Sequence, residues 1–474
     1  MTSPAENCAK PDQKSVEIDL VNVPIKIWPA LARLDKTLPP SRFIRWVPLI
    51  LAPEWADAHP IEPAERPGPE WLRELFDNLT GEKTEPLRTA QDNLAAVSES
   101  SRQQPAPGGE AVKPSVTADE PSSPNQAFPL RIGSAEDFAH VGSILRAACF
   151  DEETVCRVLG IADMSDVGSI RRDRFKLSGY LGLLIRLFLF LESIPRYEVE
   201  RWIAPDSLRH LLALDLLRRA PNVSKAHDSS EIYHSSVWLY PVTDFIIATD
   251  RGRNPDGSEL AKMPDIVFPA IYEGTLRFLR VISRTPAADA LDLCSGSGVA
   301  ALALSKTVDR VIACDITSRA SHFAEFNRRL NRASNVEIVR GDLYSTVQGK
   351  QFDRIVAHPP FVPASSEALI YRDSGTTGES LLRRIVAGLP THLRPGGTFY
   401  SVCAAWDTED APFEERARDW LENGRDEYDV LFALHRQRSP EDVAERVVAL
   451  NHLEKAEIRH WTDRFRAARF ERNV

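Results

Sequence analysis

Residues 291–298, Leu-Asp-Leu-Cys-Ser-Gly-Ser-Gly, place an acidic residue and two glycines between a strand pattern and a helix pattern. Glycines at such a turn let the backbone approach a ligand, and the N-terminus of the following helix faces that ligand. A second acidic residue, Asp315, ends the next strand pattern, where a carboxylate can accept hydrogen bonds from both ribose hydroxyls. The pattern therefore predicts a site for an adenine nucleoside.

The charge of Asp292 helps to decide which adenine nucleoside the predicted site binds. Residues 296–301, Gly-Ser-Gly-Val-Ala-Ala, also fit the G-x-G-x-x-A pattern of dinucleotide-binding proteins. A carboxylate beside the turn would repel a pyrophosphate, whereas it suits a cationic ligand with an amino group. We therefore predict S-adenosylmethionine as the cofactor. Two alternatives stay open: an NAD(P)-binding oxidoreductase, and a degenerate domain that binds the cofactor but only docks partners.

With these motifs, the segment from about Val267 to Cys403 resembles the class I S-adenosylmethionine-dependent methyltransferases. Asp315 is similar to the family's ribose-binding acid. The resemblance implies further cofactor-binding residues in the glycine loop and in the adenine loop, namely Asp292, Cys294, Gly296, Ser297, Gly298, Asp342 and Leu343.

One branch of that family carries an Asn-Pro-Pro-Phe/Tyr signature, and this sequence has His358-Pro359-Pro360-Phe361 at the same place. The branch includes glutamine methyltransferases of release factors and ribosomal protein, and methyltransferases acting on amino groups of nucleic-acid bases. In the family, the Asn oxygen and the first Pro carbonyl accept the hydrogens of a planar nitrogen, and the aromatic ring packs against it. The resemblance implies that His358, Pro359 and Phe361 are catalytic.

His358 departs from the signature and leaves the acceptor class open. A neutral imidazole still offers one acceptor nitrogen, which suits the amide of a protein glutamine or the amine of a nucleobase. It could instead act as a general base for O-, S- or N-methylation of a small metabolite. On the acceptor interpretation, activity should fall as the imidazole is protonated, near a pKa of about 6.5 if unperturbed.

Candidate substrate-binding residues flank this signature. Phe268, Pro269 and Glu273 loosely match a proline-rich, Glu-containing substrate segment of the glutamine methyltransferases. Arg372 and Asp373 follow the signature, where they could bind the substrate or pair with each other and shape the loop.

The elements that position these residues follow an alternating pattern from Asp289 onward. Strand and helix patterns alternate there, which predicts a doubly wound, mostly parallel α/β sheet of Rossmann-like form. Ser439 and Pro440 are predicted to cap and begin a C-terminal helix. Upstream, Ser134 is predicted to cap the first of several short helices, which together suggest a small winged-helix-like domain.

These patterns divide the chain into four parts. We predict a Trp/Pro-rich N-terminal arm (1–80), a flexible linker (81–129), a helical domain that selects the substrate or serves as a scaffold (130–225), and a methyltransferase catalytic domain with a C-terminal helix (226–474).

Composition and charge limit the cellular compartment and the kinds of partner that we expect for this protein. The chain has 58 Lys and Arg against 68 Asp and Glu, a net charge of −10, which does not support a globally basic nucleic-acid binder. None of the six cysteines forms a CxxC pair, so no metal is expected. The N-terminus lacks an apolar signal, and the run 180–191 is too short to cross a bilayer. We expect a soluble cytoplasmic enzyme whose partner is a protein, nucleic acid or small-molecule methyl acceptor, without a membrane.

Overall fold

The computed structural model describes residues 43–46, 128–168, 170–221, 231–251, 263–365, 369–451 and 453–474. The predicted arm and linker therefore lie outside the described residues, apart from 43–46 and 128–129. Among the residues described, no helix is both long enough and apolar enough to span a bilayer.

The first part after residue 130 is mainly helical. Its helices are α1 (Ala135–Ala147), α2 (Glu152–Leu159), α3 (Gly179–Leu184), α4 (Arg196–Trp202) and α5 (Pro205–Ala213). Ser134 caps α1, as predicted: its hydroxyl accepts from the backbone N–H of Asp137, and the Asp137 carboxylate accepts in return from the backbone N–H of Ser134. This reciprocal cap satisfies two of the free N–H groups at the helix start.

A small antiparallel sheet completes this helical part. The early strands of the chain are β1 (Phe43–Trp46), β2 (Ile194–Pro195), β3 (Leu217–Pro221) and β4 (Glu231–Ser235). Strands β2, β4 and β3 lie side by side in that order. The sequence of strand, two helices and a two-stranded ribbon has the form of a winged helix, which confirms the predicted fold class for this part.

A hairpin connects the helical part to the central sheet. It consists of β5 (Trp238–Val242) and β6 (Phe245–Thr249). The central strands are β7 (Ala287–Leu293), β8 (Val308–Asp315), β9 (Val336–Arg340), β10 (Phe352–Ala357) and β11 (Leu393–Ser401). They pair in the order β11-β10-β7-β8-β9, and every pair is parallel. The predicted Rossmann-like sheet is therefore confirmed.

Helices cover this sheet and leave its carboxyl edge open. They are α6 (Glu273–Val281), α7 (Val299–Leu304), α8 (Ser318–Leu330) and α9 (Ser380–His392). Most buried apolar side chains of α8 belong to one continuous apolar core that also contains side chains of α1, the hairpin and β7. Burial of each large apolar side chain contributes roughly 1.5–3 kcal/mol, so this shared core joins the helical part firmly to the sheet.

The chain ends in a second small unit, which we call the C-terminal unit (406–474). Its elements are β12 (Trp406–Thr408), α10 (Phe413–Asp419), β13 (Val430–Ala433), α11 (Pro440–Leu450), α12 (Glu457–Ala467) and β14 (Phe470–Asn473). Trp406, Trp461 and Phe465 form the centre of its own apolar cluster. Ser439 caps α11 and Pro440 is its first residue, as predicted. Strand β1 pairs in parallel with β13.

Candidate active site

The glycine loop after β7 turns sharply toward the carboxyl edge of the sheet. Cys294, Gly296 and Gly298 all have positive φ, at 58°, 52° and 79°. A Cβ on Gly296 would meet no atom within 4 Å, so the backbone there is open to a ligand. A Cβ on Gly298 would lie 3.1 Å from the Cβ of Ala324, so this glycine lets the loop pack closely on α8.

Two carboxyl groups, the buried Asp292 and the half-buried Asp315, stand on either side of this loop. Asp292 is 1% exposed and accepts a hydrogen bond from the backbone N–H of Ala301 at 3.0 Å. Burial raises the pKa of Asp292 to about 8. Asp315 accepts from the backbone N–H groups of Gly296, at 2.9 Å, and Thr317, at 3.0 Å. Burial also raises the pKa of Asp315. A cationic ligand nearby would favour the charged form of both groups.

Asn327, on α8, also supports the loop, and the sequence analysis missed it. Its side-chain amide N–H donates to the carbonyl of Ser297 at 2.9 Å and to the carbonyl of Ala248 at 3.0 Å. Its oxygen accepts from the N–H of Ala248 at 2.8 Å. Asn327 is completely buried, so one side chain joins the glycine loop to β6. The available signal was an Asn on the apolar face of an amphipathic helix pattern.

The predicted adenine loop follows β9. Leu343 is buried and has a φ of 49°, at the start of a short 3-10 helix, Leu343–Thr346. Asp342 is exposed, and its carboxylate pairs with the Arg384 guanidinium of α9 at 2.7 Å. Asp342 therefore has a solvated partner, unlike Asp292 and Asp315.

His358 lies directly after β10 with aromatic rings beside it. The ring centroids of Phe278 and Phe361 are 5.3 Å and 6.1 Å from that of the imidazole. Among the described residues, no group hydrogen-bonds to the His358 ring. Burial lowers the pKa of His358 to about 4, so the ring is neutral at neutral pH. A neutral imidazole keeps one nitrogen lone pair that can accept a hydrogen bond.

The predicted substrate segment lies beside this histidine. The ring of Phe268 stacks between Tyr272, at 4.5 Å, and Tyr371, at 4.8 Å between centroids. The Glu273 carboxylate pairs with the Arg277 guanidinium one helical turn later, at 2.5 Å. Pro269 lies between these aromatic and charged residues in the chain and lines the same cleft. The aromatic stack therefore joins the segment before α6 to the loop after the His-Pro-Pro-Phe signature.

Two side chains from the preceding hairpin fix the substrate segment. The Asp250 carboxylate accepts from the backbone N–H of Val267 at 2.8 Å and pairs with the buried Arg319 guanidinium. The Tyr240 hydroxyl accepts from the backbone N–H of Ala270 at 2.6 Å. Sequence patterns gave no sign of these contacts because they join residues far apart in the chain.

Arg372 and Asp373 pair with each other at 2.7 Å. The pairing is the loop-shaping alternative considered for them, and both also line the cleft. A role in substrate binding stays a prediction.

The predicted site residues surround one cleft of about 2110 Å³ at the carboxyl edge of the sheet. Gly298 is the exception: it lies behind the loop against α8, where its missing side chain permits close packing. Sites for one small ligand typically have about 300–1,000 Å³, so this cleft has room for a nucleoside and a second reactant. Its lining includes the cofactor candidates and the His-Pro-Pro-Phe residues, which the structure therefore brings together.

One group of described residues outside the cleft brings possible metal ligands together. Ligand atoms of Glu136, His140 and His210 lie within 4.8 Å of one another. The two imidazole rings are stacked, with planes 10° apart and centroids at 4.0 Å. A metal ion lies about 2 Å from an imidazole nitrogen, in the ring plane, and one ion cannot lie in both planes of a stacked pair. We assign no metal to this group, and the expectation of a metal-free enzyme stays a prediction.

Comparison with known families matches one segment, which contains the central sheet and part of the cleft lining. Residues 269–411 match the family model described as methyltransferase small domain. The match confirms the resemblance to methyltransferases for this segment. It leaves out the helical part and nearly all of the C-terminal unit.

Curated relatives match over 22% to 30% of this chain. The release factor glutamine methyltransferase of Xylella fastidiosa is 34% identical over 118 residues, which are 22% of this chain and 43% of the relative. The ribosomal protein uL3 glutamine methyltransferase of Bradyrhizobium diazoefficiens is 30% identical over 159 residues, which are 30% of this chain and 49% of the relative. The chain therefore spans less than half the length of these relatives.

Among solved structures, the ribosomal protein L11 methylase from Lactobacillus delbrueckii subsp. bulgaricus is 23% identical to this chain. The alignment covers 30% of this chain and 63% of that chain, with a TM-score of 0.23. The fold assignment therefore rests on the parallel sheet itself.

Proposed function

We propose that this protein is an S-adenosylmethionine-dependent methyltransferase that acts on a planar nitrogen, with the side-chain amide of a protein glutamine as the favoured acceptor. The observation that carries the proposal is the neutral imidazole of His358, which faces the same cleft as Asp292 and Asp315. The family match over 269–411 supports methyl transfer.

The cofactor half of the cleft fits S-adenosylmethionine. The open backbone at Gly296 leaves room for its amino-acid part, and Asp292 offers a carboxylate to its positive charge. Asp315 is the ribose acceptor, and Asp342 and Leu343 border the adenine. Cys294 and Ser297 contribute the loop wall. When bound, the cofactor supplies an activated methyl group.

The acceptor half holds the nitrogen in place. The His358 lone pair and the Pro359 carbonyl accept the two hydrogens of a planar amide or amine, and the Phe361 ring packs against its face. Localising the nitrogen lone pair in this way makes it a nucleophile, and positioning supplies much of the rate. Phe268, Pro269 and Glu273 line the approach for the acceptor.

The pKa of His358 favours this role over that of a general base. An efficient base has a pKa near the operating pH, and a group with a pKa of about 4 holds a proton poorly at neutral pH. The acceptor role needs only the neutral form. Oxygen and sulfur acceptors are therefore the less favoured candidates.

The names of the relatives support a glutamine acceptor. Both types of curated relative are called glutamine methyltransferases, one of release factors and one of ribosomal protein uL3. The segment matched by the family model, 269–411, contains the His-Pro-Pro-Phe signature and the cofactor loops, which are the groups used here. We place the reaction in the cytoplasm, with a protein of the translation machinery as the partner.

The test is to incubate the protein with tritiated S-adenosylmethionine and cell extract, and to separate protein, RNA, DNA and small molecules. We expect label in protein, with mass spectrometry locating one methyl group on a glutamine side chain. His358→Ala serves as the inactive control. A labelled small-molecule product other than the cofactor, with no label in protein, would contradict the glutamine acceptor. Thermal stabilisation by NADH but not by S-adenosylhomocysteine would support the oxidoreductase alternative.

A further inference from the structure

The loop after Phe361 folds back on itself. The backbone N–H of Val362 donates to the carbonyl of Arg372 at 2.9 Å, and the N–H of Ser374 donates to the carbonyl of Val362 at 3.0 Å. The N–H of Ala364 donates to the carbonyl of Gly375 at 2.9 Å. We call residues 361–365 and 369–379 the acceptor loop. The position of Phe361 therefore depends on the returning strand that contains Arg372.

A glycine fixes the closing end of this loop. Gly378 has a φ of 82°, and a Cβ there would lie 2.3 Å from the carbonyl oxygen of Phe361. The loop therefore closes directly onto the residue that carries the aromatic ring of the signature. A small movement of the returning strand would move Phe361 with it.

The side chain of Arg372 points away from this ladder toward the C-terminal unit. Its Nη1 donates to the carbonyl of Leu450 at 2.9 Å, and its Nη2 donates to the side-chain oxygen of Asn451 at 2.5 Å. Leu450 is the last residue of α11 and Asn451 is its cap. A cation at a helix C-terminus interacts favourably with the free carbonyl groups and the helix dipole.

Asp373 completes the contact. Its carboxylate accepts from Arg372 Nε at 2.7 Å and from the backbone N–H of Leu369 at 2.9 Å. The side chain of Asp373 is 0% exposed, and that of Arg372 is 13% exposed. The charged atoms of both residues are thus used within the protein. A substrate would have to break these bonds to bind them.

We propose that Arg372 is a positioning residue that ties the acceptor loop, and with it Phe361, to the end of α11. The C-terminal unit lies almost entirely outside the segment matched by the family model, yet through Arg372 it completes the acceptor side of the cleft. This inference rests on the proposed function, because the acceptor loop has a role only if a methyl acceptor binds there.

The test compares Arg372→Ala and Asn451→Ala with two controls. Asn451→Asp keeps an oxygen acceptor for Arg372. Arg466→Ala removes an arginine whose ion pair with Glu441 lies within the C-terminal unit, away from the loop. The measurements are deuterium exchange at the amides of Val362 and Ser374, the affinity for S-adenosylhomocysteine, and kcat and KM for the labelled acceptor fraction.

A positioning role predicts a specific pattern. Arg372→Ala and Asn451→Ala should both speed amide exchange at Val362 and Ser374. Both should lower kcat by about tenfold or more, since misplacement by 1 Å can cost up to 100-fold. KM and S-adenosylhomocysteine affinity should change little, and both controls should behave like the wild type. In a variant that carries both Arg372→Ala and Asn451→Ala, kcat should be no lower than in Arg372→Ala alone. The contact between the two side chains is already lost in that single variant.

Two results would overturn the inference. If Arg372→Ala raises KM with kcat unchanged while Asn451→Ala behaves like the wild type, Arg372 binds the substrate. If amide exchange in the loop is the same in Arg372→Ala as in Arg466→Ala, Arg372 does not hold the loop. The exchange measurement needs no acceptor, so it gives an answer even if no methylated protein is found and the proposed function fails.

Discussion

The cofactor half and the acceptor half of the cleft are built in different ways. In the cofactor half, the ligand-facing groups come from short segments at the ends of β7, β8 and β9, and much of what they offer is backbone. In the acceptor half, His358 and Phe361 depend on α6, on the acceptor loop and on the C-terminal unit. The parallel sheet therefore places the groups of the cofactor half. The groups of the acceptor half are placed by contacts between distant parts of the chain.

The largest expected effect tests the acceptor half. His358→Ala removes the acceptor nitrogen and should lower kcat by about 100-fold or more. His358→Asn restores an oxygen acceptor at the same place and should keep substantial turnover. The measurement is methyl transfer from tritiated S-adenosylmethionine at saturating cofactor.

The affinity for S-adenosylhomocysteine serves as the control for both variants. This affinity should be unchanged, because the ring contacts of His358 are with Phe278 and Phe361 and not with the proposed cofactor residues. A loss in His358→Asn as large as that in His358→Ala would mean that the imidazole acts as a base, and the nitrogen assignment would be wrong.

The next effect tests the cofactor half. Asp315→Ala should weaken S-adenosylhomocysteine binding by about 30-fold, since charge-assisted hydrogen bonds to two ribose hydroxyls are stronger than neutral ones. The same substitution removes the acceptor for the Gly296 backbone N–H. Asp342→Ala should cost only a few-fold, because that carboxylate is exposed and already paired with Arg384. Calorimetric titration of both variants and the wild type measures the difference. If Asp315→Ala binds S-adenosylhomocysteine as tightly as the wild type does, Asp315 is not part of the site.

The residues that the sequence predicts for the cofactor half, except Gly298, line one cleft in the structure. The strand ends, the glycine turn and the two acids follow one another within a short stretch, so local patterns are enough to predict them. Sequence reasoning did not reach Asn327, Asp250 or Tyr240, whose partners lie 17 to 79 residues away in the chain. Such pairings depend on how the hairpin packs against the sheet and its helices, and no local period encodes that.

A smaller effect tests whether the contact between α8 and the β5–β6 hairpin stabilises the cofactor half. Asn327→Ala leaves the carbonyl of Ser297 and both polar groups of Ala248 without their partner. It should cost roughly 3 kcal/mol of unfolding free energy, at about 1–3 kcal/mol for a buried group left unsatisfied. S-adenosylhomocysteine affinity should fall several-fold.

Asn331→Ala is the matched control for this variant. Asn331, the C-terminal cap of α8, lies one turn later and bonds the backbone of Ile246 in the same hairpin. Among the residues described, Asn331 forms no hydrogen bond to the glycine loop. It should lower the melting temperature without changing affinity. Equal affinities of both variants would show that the contact with Ser297 does not shape the loop.

A still smaller effect is the pH dependence, which should differ between the acceptor half and the cofactor half. Because burial depresses the pKa of His358 to about 4, the acceptor form is fully present above about pH 5.5 and is lost only as pH falls through 4. At saturating cofactor, kcat should therefore be flat from about pH 5.5 to 7.5, not decline near the 6.5 of a free imidazole.

In the cofactor half, the titrating group is Asp292, and its effect on binding should appear at alkaline rather than acidic pH. The pKa of Asp292 is raised to about 8, and only its charged form attracts a cation. Affinity for S-adenosylmethionine should thus increase as pH rises through about 8, more than affinity for S-adenosylhomocysteine, whose sulfur is uncharged.

The kcat profile checks the pKa of His358. A decline of kcat centred near pH 6.5 would place His358 in a more solvated environment.

The smallest expected effect concerns the N-terminal arm. A chain that begins at residue 128 keeps the stacking of Phe128 on His322, at 4.3 Å, and the complete cofactor half. It should bind S-adenosylhomocysteine as tightly as the full chain. Strand β1 contacts β13, which lines the acceptor half, so any effect of the truncation should appear in KM for the acceptor. Parallel titration and kinetics on the two chains measure this, with the melting temperature as the control for folding. Loss of cofactor binding in a folded, truncated chain would mean that the two halves are not built independently.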